Sequence, residues 1–375
     1  MKIVADNNIP YLKGVFEPYG SVEYYQGNEI VASVVKDADA LIVRTRTKCD
    51  ENLLNGSSVK FIATATIGFD HIDTDYCRQN RIVWQNAPGC NSGSVMQYIT
   101  SVLVRLSLNH GFDFANKTIG IVGVGNVGSK VARMSSLLGM NVLLNDPPRE
   151  RREGKGSFVS LDEICEKSDI ITFHVPLIEE GTDKTQHLFD DLFLSKVKKD
   201  VIIINSSRGE VVSGNVLKRA LKEHKIKAAV LDVWENEPNI DKELVQLVEM
   251  ATPHIAGYSV DGKANGTAMS VQAVSKFFKL DLSSWFPEKL PSPANSSIEI
   301  DCNGLTCRQV INRATLFTYD VQKDDTTFRS SINTFEYQRN NYPVRREFNF
   351  FTIKLINPLP GCAELLRNLG FGVVS

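Results

Sequence analysis

The stretch from Lys117 to Asp146 constrains this chain more than any other. Ile119-Gly120-Ile121-Val122 is a short, unbroken apolar run, as a parallel strand buried on both faces requires. Gly123-Val124-Gly125-Asn126-Val127-Gly128 follows at once and opens a helix whose apolar positions Val127, Val131, Met134 and Leu138 recur at helical spacing. Asn141 to Asn145 forms the next strand and ends at Asp146. In such a unit Gly123 permits the tight turn, Gly125 lets a pyrophosphate approach the backbone, and Gly128 lets helix and strand pack closely. The free N–H groups at the helix start, where Asn126 and Val127 stand, face the anion. Asp146 lies 21 residues past Gly125 (146 − 125), where an acid accepts from ribose hydroxyls. Strand, turn, helix, strand and acid together predict a dinucleotide site.

The βα alternation continues on both sides. Strands are expected at Ile119, Val142, Ile170 to Phe173, Val201 to Ile204, Ala228 to Leu231 and Met250 to Ala251, making a doubly wound parallel sheet of Rossmann type. Lys2 to Ala5, Ser21 to Tyr25, Ala40 to Arg44 and Lys60 to Ala65 predict a second, smaller parallel α/β sheet of flavodoxin-like kind. A long helix starting at Asn91, capped by Asn91 or Ser92, links the two. Pro287, Pro291 and Pro293 mark a linker, and Asn295 to Ser375 carries strand-like runs of its own at Ser297 to Asp301 and Phe348 to Ile356. The expected division is 1–93, completed by 258–286, for substrate; 94–257 for the dinucleotide; and an α+β domain over 287–375.

Composition excludes several classes. A net charge of −2 over 375 residues attracts neither nucleic acid nor an anionic membrane. No apolar run approaches the length of a membrane span. Seven cysteines without a C-x-x-C pair argue against a disulfide framework and against a metal site, and suit a reducing cytoplasm. The amino terminus, broken at Asp6 after three apolar residues, is not a secretion signal.

Polar residues collect behind the later strands. Asn205-Ser206-Ser207-Arg208-Gly209 follows the fourth strand of the larger sheet, Asp232 to Pro238 the fifth, and Pro253-His254 the sixth. Parallel strands open their carboxyl ends onto one crevice, so these loops should converge. Arg208 offers a planar fork for a carboxylate, His254 a base able to accept and return a proton, and Glu237 a partner that fixes the imidazole tautomer.

This constellation resembles the D-isomer-specific 2-hydroxyacid dehydrogenase family. The resemblance implies catalysis by Arg208, Glu237 and His254, with NAD as cofactor. It places NAD against Gly123, Gly125, Asn126, Val127, Gly128, Asp146, Val175, Ser206, Ser207, Asp232 and Gly257. Val175 stands where relatives carry a hydroxyl residue, and Asp146 repels the 2′-phosphate that Arg149, Arg151 and Arg152 would otherwise welcome.

Further stretches, among them Ala65-Thr66-Ile67-Gly68-Phe69-Asp70-His71, Thr252 to Ser259 and Tyr342 to Glu347, are similar to one branch of that family. Its members oxidise 4-phospho-D-erythronate on the way to pyridoxal phosphate and dimerise through an added carboxyl-terminal domain. That resemblance implies a phosphorylated hydroxy acid as the small-molecule partner, a cytoplasmic homodimer, and contacts from Thr45, Thr66 and Tyr258. Arg44 and Arg46, ending a strand of the smaller sheet, are placed to meet the phosphate. Arg345 and Arg346 are expected in a solvated charge cluster, the alternative being that they reach the partner subunit's site. Two other readings stay open: a dehydrogenase of glycerate or phosphoglycerate, and an NAD-sensing corepressor-like protein.

Overall fold

The computed structural model describes all 375 residues. They form two compact units, Met1–Asn91 with Ser259–Pro291, and Ser92–Tyr258 with Ser292–Ser375.

The first unit is built on five parallel strands, β1 (Lys2–Asp6), β2 (Ser21–Tyr25), β3 (Ala40–Val43), β4 (Phe61–Thr64) and β5 (Val83–Gln85), in the order β2-β1-β3-β4-β5. β3 and β4 are buried throughout, which is why they read as continuous apolar runs. β5 has only three residues, too few to show a period, and sequence reasoning missed it. The helix Val260–Phe278 returns onto this sheet, and Ser259 caps it by accepting from the Gly262 N–H at 2.7 Å. Gly266 lets that helix approach β4: a first side-chain carbon placed there would lie 2.9 Å from the Ala65 carbonyl oxygen.

The second unit carries six parallel strands, β6 (Thr118–Val122), β7 (Asn141–Asn145), β8 (Ile170–Phe173), β9 (Ile202–Asn205), β10 (Ala228–Leu231) and β11 (Met250–Ala251). Their order is β11-β10-β9-β8-β6-β7, so the chain reverses direction across the sheet between β6 and β8. A crevice opens where the loops leaving those two strands part.

The helix Ser92–His110 is more than a link. Val95, Tyr98, Ile99, Val102 and Leu106 are buried in the same core as Ile119 of β6. A helix apolar nearly all round belongs inside. Asn91 does not cap it: its Oδ1 is buried and hydrogen-bonded to nothing.

Residues Ser292–Ser375 add a third sheet of parallel strands, β12 (Ser297–Asp301), β13 (Thr352–Ile356) and β14 (Gly372–Val374). Only the second half of the expected Phe348 to Ile356 run is strand, because Phe348–Phe350 winds into a helical turn. Ile300, Phe348, Ile353 and Leu366 share the apolar core of Ile99 and Ile119. Arg345 and Arg346 are not a solvated cluster: they are 5% and 9% exposed. Aromatic faces cover their guanidinium groups, Tyr319 at 4.5 Å from Arg345 and Phe350 at 4.0 Å from Arg346. All seven cysteines are free thiols, and no helix is long and apolar enough to cross a membrane.

Candidate active site

The glycine loop sits at the reversal of the larger sheet. Gly123 has φ +88°, and a side chain there would meet the His174 carbonyl and Val175 at 2.6 and 2.7 Å, so the loops after β6 and β8 touch. A side chain at Gly128 would collide with the Gly123 carbonyl oxygen. Gly125 differs: it is exposed, and a carbon added to it meets nothing within 4 Å. It also begins the Asn126–Leu137 helix with no side-chain cap, leaving the first N–H groups to an outside acceptor.

Asp146 braces this loop, its Oδ2 accepting from the Val124 N–H at 2.8 Å and its Oδ1 from the Arg149 N–H at 3.0 Å. The three arginines nearby are paired with carboxylates, Arg149 and Arg152 with Glu153 and Arg151 with Asp183. None of them is therefore spare for a 2′-phosphate. Across the sheet, the Ser206 Oγ is buried without a partner, while Ser207 spends its hydroxyl on Asn205 at 2.8 Å. An open face at Gly125, uncapped N–H groups and an unmet hydroxyl fit a dinucleotide.

The polar residues behind β9, β10 and β11 leave three neighbouring strands. Arg208 is half-buried; its backbone carbonyl accepts from Asn205 Nδ2 at 2.8 Å. The next residue, Gly209, presses so closely on the Trp234 carbonyl that no side chain would fit. Trp234 in turn donates Nε1 to the Thr252 carbonyl at 2.9 Å. These bonds join the three loops into one wall.

Within that wall, Glu237 and His254 meet. Glu237 Oε2 accepts from His254 Nδ1 at 2.7 Å, and its Oε1 accepts from the Trp234 N–H at 3.0 Å. The pairing fixes Nδ1 as the protonated nitrogen and leaves Nε2 with no partner in the chain. Burial alone would raise the Glu237 pKa, but the His254 hydrogen bond and charge, the Arg339 charge and the Trp234 N–H together bring it below the ordinary carboxylate range.

His254 adopts φ +57°, a left-handed conformation uncommon for a side-chain-bearing residue. Asp232 holds it there. The His254 N–H donates to the Asp232 carbonyl at 2.6 Å. The buried Asp232 carboxylate accepts from Thr252 Oγ1 at 2.6 Å, Ile255 N at 2.8 Å and Ala256 N at 2.9 Å. Burial raises its pKa against those bonds. Asp232 is thus committed to the turn that carries His254. Sequence reasoning missed the supporting Trp234, Thr252 and Tyr98, whose hydroxyl shares a 2.8 Å hydrogen bond with Thr252.

Gly257 and Tyr258 continue that turn, half-buried, with the Tyr258 N–H donating to Ile255 O at 2.8 Å. His174 is half-buried beside the glycine loop, hydrogen-bonds Thr172 Oγ1 at 3.0 Å, and is pushed down to about 3 by desolvation, so it is a neutral packing group. The remaining expected residues belong to the other unit. Arg44, Thr45 and Arg46 follow β3, with Thr45 and Arg46 exposed and Arg44 reaching the Asn8 carbonyl at 3.3 Å. Thr66 follows the adjacent β4 and donates to the Gly68 carbonyl at 2.8 Å. Its hydroxyl is 2.7 Å from that of Thr64, which bonds His71 Nε2 at 3.1 Å.

Fold and site define an NAD-dependent oxidoreductase. Residues 100–256 match the D-isomer specific 2-hydroxyacid dehydrogenase, NAD binding domain. The structure is similar to that of D-lactate dehydrogenase from Aquifex aeolicus complexed with NAD and lactic acid, with a TM-score of 0.63 and 27% identity over 78% of this chain and 100% of that one. Erythronate-4-phosphate dehydrogenase of Bacteroides fragilis is 50% identical over 94% of this chain and 99% of its own length. The enzyme of the same name from Bacteroides thetaiotaomicron is 48% identical with the same coverage. This chain belongs to the erythronate-4-phosphate dehydrogenases, within the D-isomer-specific 2-hydroxyacid dehydrogenase family. Residues 290–370 match a domain of unknown function.

Proposed function

We propose that the chain oxidises 4-phospho-D-erythronate to (R)-3-hydroxy-2-oxo-4-phosphooxybutanoate with NAD, in pyridoxal phosphate synthesis, as a cytoplasmic homodimer joined through its carboxyl-terminal segment. The 2.7 Å contact between Glu237 and His254 Nδ1 carries the reading, because it presents Nε2 as a base.

Gly125, the N–H groups of Asn126 and Val127, Asp146 and Ser206 would hold NAD, which supplies the hydride acceptor when bound. Arg208 receives the substrate carboxylate on its planar fork. His254 Nε2 takes the proton of the C2 hydroxyl as the C2–H bonding pair leaves as hydride, which forms the carbonyl. Glu237, ionised and fixed by the Trp234 N–H, stabilises the imidazolium that results. Asp232 keeps the imidazole aimed. Arg44, Thr45, Arg46, Thr66 and Tyr258 are the proposed contacts to the rest of the substrate.

The deciding experiment compares NADH formation with 4-phosphoerythronate, erythronate, glycerate and 3-phosphoglycerate. Selective turnover of the first is expected. Preference for either glycerate would move the chain to another substrate, and no turnover of any acid would favour a sensing role.

A further inference from the structure

The carboxyl-terminal segment brings a cation to the wall that holds His254. Arg339 lies on the short helix Phe335–Asn340. Its guanidinium carbon is 5.5 Å from the centre of the Tyr258 ring and 5.8 Å from that of Phe335. Tyr258 is fixed in turn by the edge of Tyr342, with ring centres 6.1 Å apart. Tyr258 stands four residues past His254, and the charge of Arg339 is one of those that keep Glu237 ionised.

The bonding of Arg339 is unlike that of its neighbours. Arg329 pairs with Asp325 and donates to the carbonyls of Val245 and Val248, and Arg345 donates to the Ala256 carbonyl. Arg339 has no such partner: its Nε, like that of Arg345, is buried and hydrogen-bonded to nothing, and unlike Arg345 it donates to no carbonyl and pairs with no carboxylate. A buried donor left unmet is unfavourable, more so when the group is charged. Aromatic rings occupy the faces of a guanidinium, whereas its N–H groups point outward in the plane, the geometry that grips an oxyanion.

We propose that Arg339 binds the anionic tail of the substrate, making the segment matched by a domain of unknown function the source of a specificity residue. This rests on the reading above, in which that tail is a phosphoryl group. Arg208 meets the carboxylate at the reacting end, and Arg339 meets the charge at the other.

The test uses R339M and R339K in the full-length protein, with kcat and KM measured for 4-phosphoerythronate and for erythronate. For R339M, kcat/KM with the phosphorylated acid should fall roughly 10–100-fold, chiefly through KM, while erythronate changes little. R339K, which keeps the charge and loses the fork, should fall in between and serves if R339M does not fold. Equal losses on both acids, or a shifted pH profile with both, would mean that Arg339 acts through Glu237 and would overturn the proposal. Calorimetric titration with inorganic phosphate separates this proposal from the function it rests on. If the wild type turns over no acid, weaker phosphate binding by R339M still supports Arg339 as an anion site, and unchanged binding rejects it.

Discussion

His254 Nδ1 lies 2.7 Å from Glu237 Oε2, although the two side chains come from loops behind different strands, β11 and β10. The contact fixes the tautomer, and the Trp234 N–H on the second Glu237 oxygen fixes the carboxylate. Base and orienting acid therefore form one rigid element, which makes their substitutions and their pH response linked.

Replacing His254 by Ala removes the base and should lower kcat by roughly 10²–10⁴ with NAD affinity retained. In E237Q the imidazolium loses its counter-charge, and kcat should fall by a comparable factor. Stability should follow pH in a defined direction. Folded Glu237 titrates below its ordinary value of 4.5, so the unfolded chain takes up the proton first as pH falls. The stabilisation is complete above about pH 4.5 and disappears as pH drops through the folded value. Melting temperatures of wild type and E237Q should thus converge below that pH. A gap that stays constant down to pH 3.5 would show that the Glu237 charge does not contribute to folding.

Two glycines three residues apart should respond oppositely to alanine. At Gly128 the added methyl collides with the Gly123 carbonyl, and such overpacking costs about 1–3 kcal/mol. At Gly125 the methyl enters open space from a backbone of φ −76°, so folding should be unaffected. That space is where the pyrophosphate should approach, and G125A should bind NAD roughly tenfold or more weakly. Thermal melts and NAD titrations of the two variants check the contrast. Wild-type NAD affinity in G125A would move the cofactor elsewhere.

Features carried by short contiguous patterns were legible in the sequence. The β6 unit, the loops behind β9 to β11 and the parallel character of both sheets follow from apolar runs and glycine spacing, which act over a few residues. Three kinds of feature were not. β5 is too short to show a period. The hydrogen bonds that Asp232 accepts come from Thr252, Ile255 and Ala256, some twenty residues on, a distance that no local pattern spans. Arg339, Arg345 and Arg346 sit in a polar stretch with no apolar periodicity; rings far away in sequence, Tyr258 and Tyr319, cover the first two, and Phe350, four residues on, covers Arg346.

Arg345 offers the sharpest test of how firmly the carboxyl-terminal segment supports the site. Its Nη2 donates to the Ala256 carbonyl, and the N–H of the same Ala256 is held by Asp232. Its charge also faces Asp324, whose Oδ2 accepts from the hydroxyls of Tyr319 at 2.8 Å and Tyr342 at 2.6 Å. Burial pushes the Asp324 pKa up, and those two bonds and Arg345 oppose the rise. R345M would leave that carboxylate without the nearby positive charge and the Ala256 carbonyl without its donor, at a cost of about 1–3 kcal/mol. D324N alone removes the charge but leaves both tyrosines a side-chain acceptor, so the double variant R345M/D324N should recover part of the loss. Urea midpoints for the four proteins measure the coupling. Strict additivity would show that Arg345 stabilises the fold through contacts other than Asp324, and a lowered NAD affinity in R345M at unchanged secondary structure would show that the anchor sets the position of Gly257 and Tyr258.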